Sequence, residues 1–97
     1  MFLNEEKFKL VEVLPDESYR EGHIPGAINM PLEKLETLAK GNLKKNDTIV
    51  VYCGDYTCEA STKAARKLLE MGYKNILDFK GGKREWIHAG FKLHKVE

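Results

Sequence analysis

No apolar run in this sequence approaches the length of a membrane span, and Met1 to Lys9 alternates charge with single apolar residues instead of forming a secretory signal's apolar core. The expected compartment is therefore the cytoplasm, with no membrane partner. Charge of one sign is missing too: 16 basic side chains stand against 15 acidic ones, a formal net charge of +1. Nucleic acid as a partner calls for a basic excess gathered into a patch, so none is expected. Intrinsic disorder calls for fewer apolar residues than the 42% present here. There is no internal repeat and no low-complexity linker. What remains is an ordinary soluble globule of 97 residues, enough for one domain over 1–97 and too few for two.

Cysteine is scarce, and Cys53 and Cys58 are the whole supply. A pair this close in sequence closes a short loop and constrains little of the unfolded chain, so it makes a poor staple. In a reducing compartment two nearby thiols point to chemistry or to metal. Zinc would need further ligands, and His23, His88 and His94 show no ligand spacing; neither metal nor cofactor is expected. The pair also lacks the Cys-x-x-Cys spacing of a redox helix.

What is there reads as alternating strands and helices. Leu10–Leu14 is a short apolar strand stopped by Pro15, after which Asp16 can cap one helical turn ending at Gly22. Residues 22–26 are turn material, and Ala27–Met30 reads as a second strand. After Pro31, Leu32, Leu35, Leu38 and Ala39 recur at helical spacing, with Gly41 as the expected stop. Thr48–Tyr52 is the strongest strand, β-branched and uncharged, as suits a central strand covered on both faces. Ala60, Ala64, Leu68 and Met71 form a helical stripe closed by Gly72. Asn75–Phe79 is the next strand, and a short helix carrying Trp86 and Ile87 follows Gly81 and Gly82. The expected fold class is α/β with a mainly parallel sheet of four to five strands, whose ligand site lies beyond the strands' carboxyl ends.

Cys53 stands at that end of the strongest strand. The loop after it, Gly54, Asp55, Tyr56, Thr57, Cys58 and Glu59, can curl so that its backbone N–H groups cradle an anion, assisted by the positive end of the following helix. A thiolate is such an anion, and stabilising it lowers the cysteine pKa. The plainer reading is a small buried hydrophobe at a strand end. Asp55 and Glu59 oppose ionisation, and no cation lies in the loop; Lys80, Lys83 and Arg84 offer compensation only from beyond the next strand. Cys58 admits three readings: a resolving thiol, a second sulfur acceptor, or a space-filler near the helix start. Ser61 and Thr62 read as capping or surface residues, His23 as a hydrogen-bonded turn residue, Trp86 as core, and Tyr56 as an exposed residue shaping the mouth of the site.

The residues resemble a rhodanese-like domain over nearly the whole chain. Residues 18–31 closely match that family's amino-terminal signature, Val50-Val51-Tyr52-Cys53 its catalytic strand, and Gly81-Gly82, Trp86 and Ala89-Gly90 its carboxyl-terminal signature. The resemblance implies a three-layer α/β/α domain in which Cys53 carries a persulfide cradled by the amides of Gly54 through Glu59. It implies as partners a small sulfur donor and a thiol or protein sulfur acceptor. Two other readings stand beside sulfur transfer: a non-catalytic binding or regulatory module, and a thiol redox or sulfide-sensing switch through Cys53 and Cys58.

The chain departs from the family pattern in three places. Glu12-Val13-Leu14 replaces the usual aspartate-valine-arginine run. Cys58 stands where the loop arginine is usual, and Ser61 comes two positions late, so the loop is longer and lacks a clamp for an anionic donor. Longer loops occur in related cell-cycle phosphatases and arsenate reductases, but those rely on the arginine missing here. The usual helix before the first strand is also expected to be absent, leaving one edge or face of the sheet either thinner or covered by a partner chain such as a second copy.

Overall fold

The structure, a computed structural model, describes residues 8–96. Four strands, β1 (Phe8–Glu12), β2 (Ile28–Asn29), β3 (Thr48–Tyr52) and β4 (Asn75–Phe79), form one sheet in the order β2-β1-β3-β4. Every neighbouring pair is parallel. Helices α1 (Asp16–Glu21), α2 (Leu35–Asn42), α3 (Ala60–Glu70) and α4 (Gly82–His88) occupy the connections, with a 3₁₀ turn over Leu32–Lys34. Chain order reverses direction across the sheet between β1 and β3, so the switch point lies between their carboxyl ends. The expected absence of a helix before β1 concerns residues 1–7, which lie outside those described.

Strand periodicity builds two cores. Val11, Val13, Ile49, Val51 and Cys53 point to one face and pack with Leu35, Ala39, Leu43, Ala64, Leu68 and Tyr73 from the α2 and α3 side. Leu10, Val50 and Tyr52 point to the other, against Ile24 and Ala27, with Tyr19 of α1 and Trp86 of α4 packed around them. Each fully buried Leu or Ile contributes about 1.5–3 kcal/mol, so these two layers supply most of the drive to fold. The alternation fixes which face each side chain of β1 and β3 joins.

Several boundaries move from those expected. The first strand begins two residues earlier, because its ladder follows β3 from Phe8 opposite Thr48 to Glu12 opposite Tyr52. Asp16 is the first helical residue, and Pro15, with φ −57°, holds the cap position without a side-chain hydrogen bond. Helix α2 runs through Gly41 to Asn42 and ends at extended Leu43, whose N–H donates to Ala39 O at 2.8 Å. Burial of Leu43 decides that exit, rather than the conformational freedom of Gly41. The second strand shrinks to Ile28–Asn29. No described helix is long and apolar enough to cross a membrane.

Candidate active site

The loop after β3 is built from its own short-range bonds. Asp55 Oδ1 accepts from Thr57 N at 3.0 Å and from Thr57 Oγ1 at 2.6 Å, and Asp55 O accepts from Cys58 N at 3.1 Å. These three bonds make the turn that carries Cys58 back toward the strand end, where Cys53 and Cys58 are joined as a disulfide with Cα atoms 6.4 Å apart. Of the six amides expected to form the cradle, those of Thr57 and Cys58 therefore serve the loop itself. The Thr57 bonds, with help from the charge of Arg84, hold the Asp55 carboxyl below its usual range. Asp55 thus acts as a turn-former facing a cation.

Below the loop, Cys53 is 1% exposed and Cys58 half-buried against the same core. Helix α3 starts at Ala60 with no side-chain cap, and Lys63 N donates to Glu59 O at 3.0 Å. Its first amides lack intrahelical acceptors, and its positive end stabilises negative charge on nearby sulfur. Ser61, expected to cap or lie exposed, is instead fully buried in the first turn, with Oγ 3.7 Å from Cys53 Sγ. Its place as the second residue of α3 turns its hydroxyl inward. Thr62, its neighbour, bonds outward to Asp78 Oδ2 at 2.9 Å and accepts from Lys80 Nζ at 2.7 Å.

Helix α4 fastens the other side of the loop. Lys83 N donates to Cys53 O at 3.1 Å and Arg84 N to Gly54 O at 2.9 Å. This approach needs Gly82, whose φ is +55° and where a Cβ would overlap the Cys53 carbonyl. The cations after β4 divide. Lys83 extends inward, bonding Ser18 O at 2.9 Å and facing Glu12 Oε2 at 3.0 Å. Arg84 lines a cavity of about 310 Å³ with Asp55, Tyr56, Thr57, Glu85 and His88. Tyr56 is 60% exposed, lines that cavity and donates to Glu85 Oε1 at 3.3 Å.

Sequence reading missed the group that supports this arrangement from beneath. Glu12 is fully buried at the end of β1, accepting from Tyr52 Oη at 2.7 Å while Tyr52 Oη accepts from Ile24 N at 3.0 Å. The contact of Oε2 with Lys83 is one of charge, without the direction of a hydrogen bond. Burial, then the bond to Glu12, pushes the Tyr52 hydroxyl pKa far upward. An acidic residue between Val11 and Val13 was the available signal. His23 is buried, its Nδ1 3.0 Å from Tyr19 O, its ring stacked on Tyr19 at 3.9 Å, and its backbone paired with His94. Trp86 packs in the second core and donates Nε1–H to Lys92 O at 2.9 Å. Among the described residues no cluster of His, Cys, Asp and Glu is placed to hold a metal ion.

A parallel α/β domain with a cysteine loop at the switch point of its sheet is the class these features define. The chain belongs to the rhodanese-like domain family, whose model matches residues 2–89. It is 39% identical over 67 residues to the thiosulfate sulfurtransferase PspE of Escherichia coli, covering 68% of this chain and 62% of that protein. It is 33% identical over 90 residues to the adenylyltransferase and sulfurtransferase UBA4 of Candida albicans, covering 86% of this chain and 20% of that one. The chain spans 43% of the Bacillus subtilis relative YrkF and 36% of the Mycobacterium tuberculosis HTH-type transcriptional regulator Rv0324. Among solved structures, a rhodanese-like domain from Anabaena matches with TM-score 0.86 at 30% identity, covering 93% of this chain and 94% of that one. An Escherichia coli rhodanese determined with anions matches with TM-score 0.71 at 33% identity, covering 90% and 96%.

Proposed function

We propose that this chain is a sulfurtransferase that carries sulfane sulfur as a persulfide on Cys53. The supporting observation is the setting of the Cys53 sulfur, at the uncapped start of α3 with the Ser61 hydroxyl 3.7 Å away. Relatives named as sulfurtransferases agree with it. The Cys53 thiolate attacks the sulfane sulfur of a donor, forming an S–S bond while the rest of the donor leaves with the former bonding pair. A thiol or protein acceptor then attacks the outer sulfur, and the Cys53 thiolate departs unchanged. Ser61 O–H donates to the thiolate, and the helix end lowers the cost of its charge. Arg84, in the cavity beside the loop, is the cation nearest to the role of the missing loop arginine, but Asp55 and Glu85 share that cavity. A dianion such as thiosulfate is therefore a weaker donor here than a singly charged organic persulfide.

The test is to reduce the protein, expose it briefly to polysulfide, alkylate at once and map the added sulfur by peptide mass spectrometry. The expected result, read in Cys58→Ser so that Cys53 is the lone thiol, is one extra sulfur on the Cys53 peptide, lost in Cys53→Ser. An adduct of equal yield in that variant would overturn the assignment.

A further inference from the structure

We propose that Cys58 is the resolving nucleophile of the Cys53 persulfide. Its thiolate attacks Cys53 Sγ and expels the outer sulfur as hydrosulfide, leaving the Cys53–Cys58 disulfide. The inference rests on the persulfide reading of Cys53 and adds the fate of the sulfur when no external acceptor takes it.

Three observations carry it. First, the turn through Asp55 bends the loop so that Cys58 Sγ meets Cys53 Sγ itself, with the Cα atoms 6.4 Å apart, inside the ordinary span of a disulfide. In a persulfide, Cys53 Sγ is the inner sulfur. Attack there needs only the geometry the fold already holds. Accepting the outer sulfur would require Cys58 to sit one S–S bond further out, about 2 Å away from this position. Second, both sulfurs border the start of α3, whose uncapped amides favour the Cys58 thiolate as well as the Cys53 one. Third, the joined state is closed. Cys53 is 1% exposed, covered by Ser61 and Cys58, so after resolution no donor reaches its sulfur.

The step balances. One S–S bond, between Cys53 Sγ and the outer sulfur, breaks, and one, between Cys53 Sγ and Cys58 Sγ, forms. The outer sulfur leaves with the bonding pair and takes up the proton that Cys58 released. Sulfane sulfur is reduced to sulfide while two thiols are oxidised to a disulfide. Return to the loadable state needs a thiol or dithiol reductant, which is itself oxidised to a disulfide. The chain would then convert sulfane sulfur to sulfide at the expense of cellular thiols, with Cys58 deciding between that route and transfer to an acceptor.

The experiment uses reduced protein, oxygen excluded, loaded with polysulfide and desalted without added thiol. The readout is the intact mass of the wild type, Cys58→Ser, Cys58→Ala and Cys53→Ser. The expected wild type carries no added sulfur and has lost two hydrogens to a disulfide. Both Cys58 variants keep one added sulfur on Cys53 and release sulfide only when a small thiol is supplied. Two independent replacements guard against one that misfolds, and circular dichroism checks each. Wild type holding the persulfide as long as the Cys58 variants do would overturn the role of Cys58 while leaving the persulfide intact. Added sulfur found on Cys58 would overturn it too. Cys58 variants that never acquire sulfur would instead remove the Cys53 persulfide reading itself.

Discussion

Gly82 adopts φ +55° directly beneath the Cys53 carbonyl, and this one residue lets α4 close on the loop. Gly82→Ala adds both a left-handed backbone penalty and a collision with that carbonyl, so we expect a loss of about 2–3 kcal/mol in denaturant unfolding. The bonds from Lys83 N and Arg84 N would loosen with it, and reduced Cys53 would be alkylated faster than in the wild type. Tyr52 is the second residue of this kind. Its hydroxyl donates to Glu12 and accepts from Ile24 N, so Tyr52→Phe leaves a buried carboxylate and a buried amide each short of a partner. The expected cost is about 2–4 kcal/mol, against a fraction of that for an exposed tyrosine such as Tyr56.

At the scale of elements, the Glu12–Lys83 contact joins the end of β1 to the start of α4 across the floor of the site. Glu12 is fully buried and the Lys83 side chain 15% exposed, which makes the pair costly to break from the lysine side. Lys83→Met leaves an unpaired buried charge and is expected to cost about 3–5 kcal/mol, whereas adding Glu12→Gln, which removes the charge and still accepts from Tyr52 Oη, should restore much of that loss. A double variant no better than Lys83→Met alone would show that the ion pair is not what holds α4. Helix α3 is held differently, by apolar packing. Leu68 is fully buried in the first core, and Leu68→Ala should cost about 3 kcal/mol with little change in the sulfur chemistry at the helix start.

Across the whole molecule, alkaline pH attacks the fold through its buried phenols. The Tyr52 pKa lies far above its ordinary value through burial and the Glu12 bond, and Tyr19 is raised in the same direction by burial and then by Glu12. A group raised in this way lends stability that is fully present below its unfolded pKa, about 10, and lost as pH climbs toward its folded one. The unfolding free energy should therefore be flat from neutrality to about pH 10 and fall above it. Tyr52→Phe should flatten that alkaline fall, and an unchanged slope in urea titrations would remove Tyr52 from the account. At the acid end, the lowered Asp55 pKa keeps its turn intact until pH drops below the ordinary carboxylate range. Opening of the turn, read from the Thr57 amide proton in NMR, should appear only there.

Strand β3, strand β4 and the span of α3 were legible from residue order alone, because β-branched runs and a three-and-four stripe are local signals. So was the position of Cys53, which follows from where β3 ends. The family pattern added the expectation of a sulfur carrier. What the sequence could not decide is which side chains meet across the sheet. Period two says that Glu12 and Tyr52 each share a face with their alternate neighbours, but only the β1–β3 register sets them opposite one another. Lys83 reaches that pair only because α4 packs on the same face. Ser61 turns from a cap into a neighbour of sulfur because α3 begins one residue before it and rolls it inward. The union of Cys53 with Cys58 depends on an aspartate turn within a loop free to take many shapes until the sheet and two helices fix its ends. Local propensity determined the elements and the position of Cys53. Tertiary packing decided the partners, since contact between residues distant in sequence depends on register and face, which no single segment encodes.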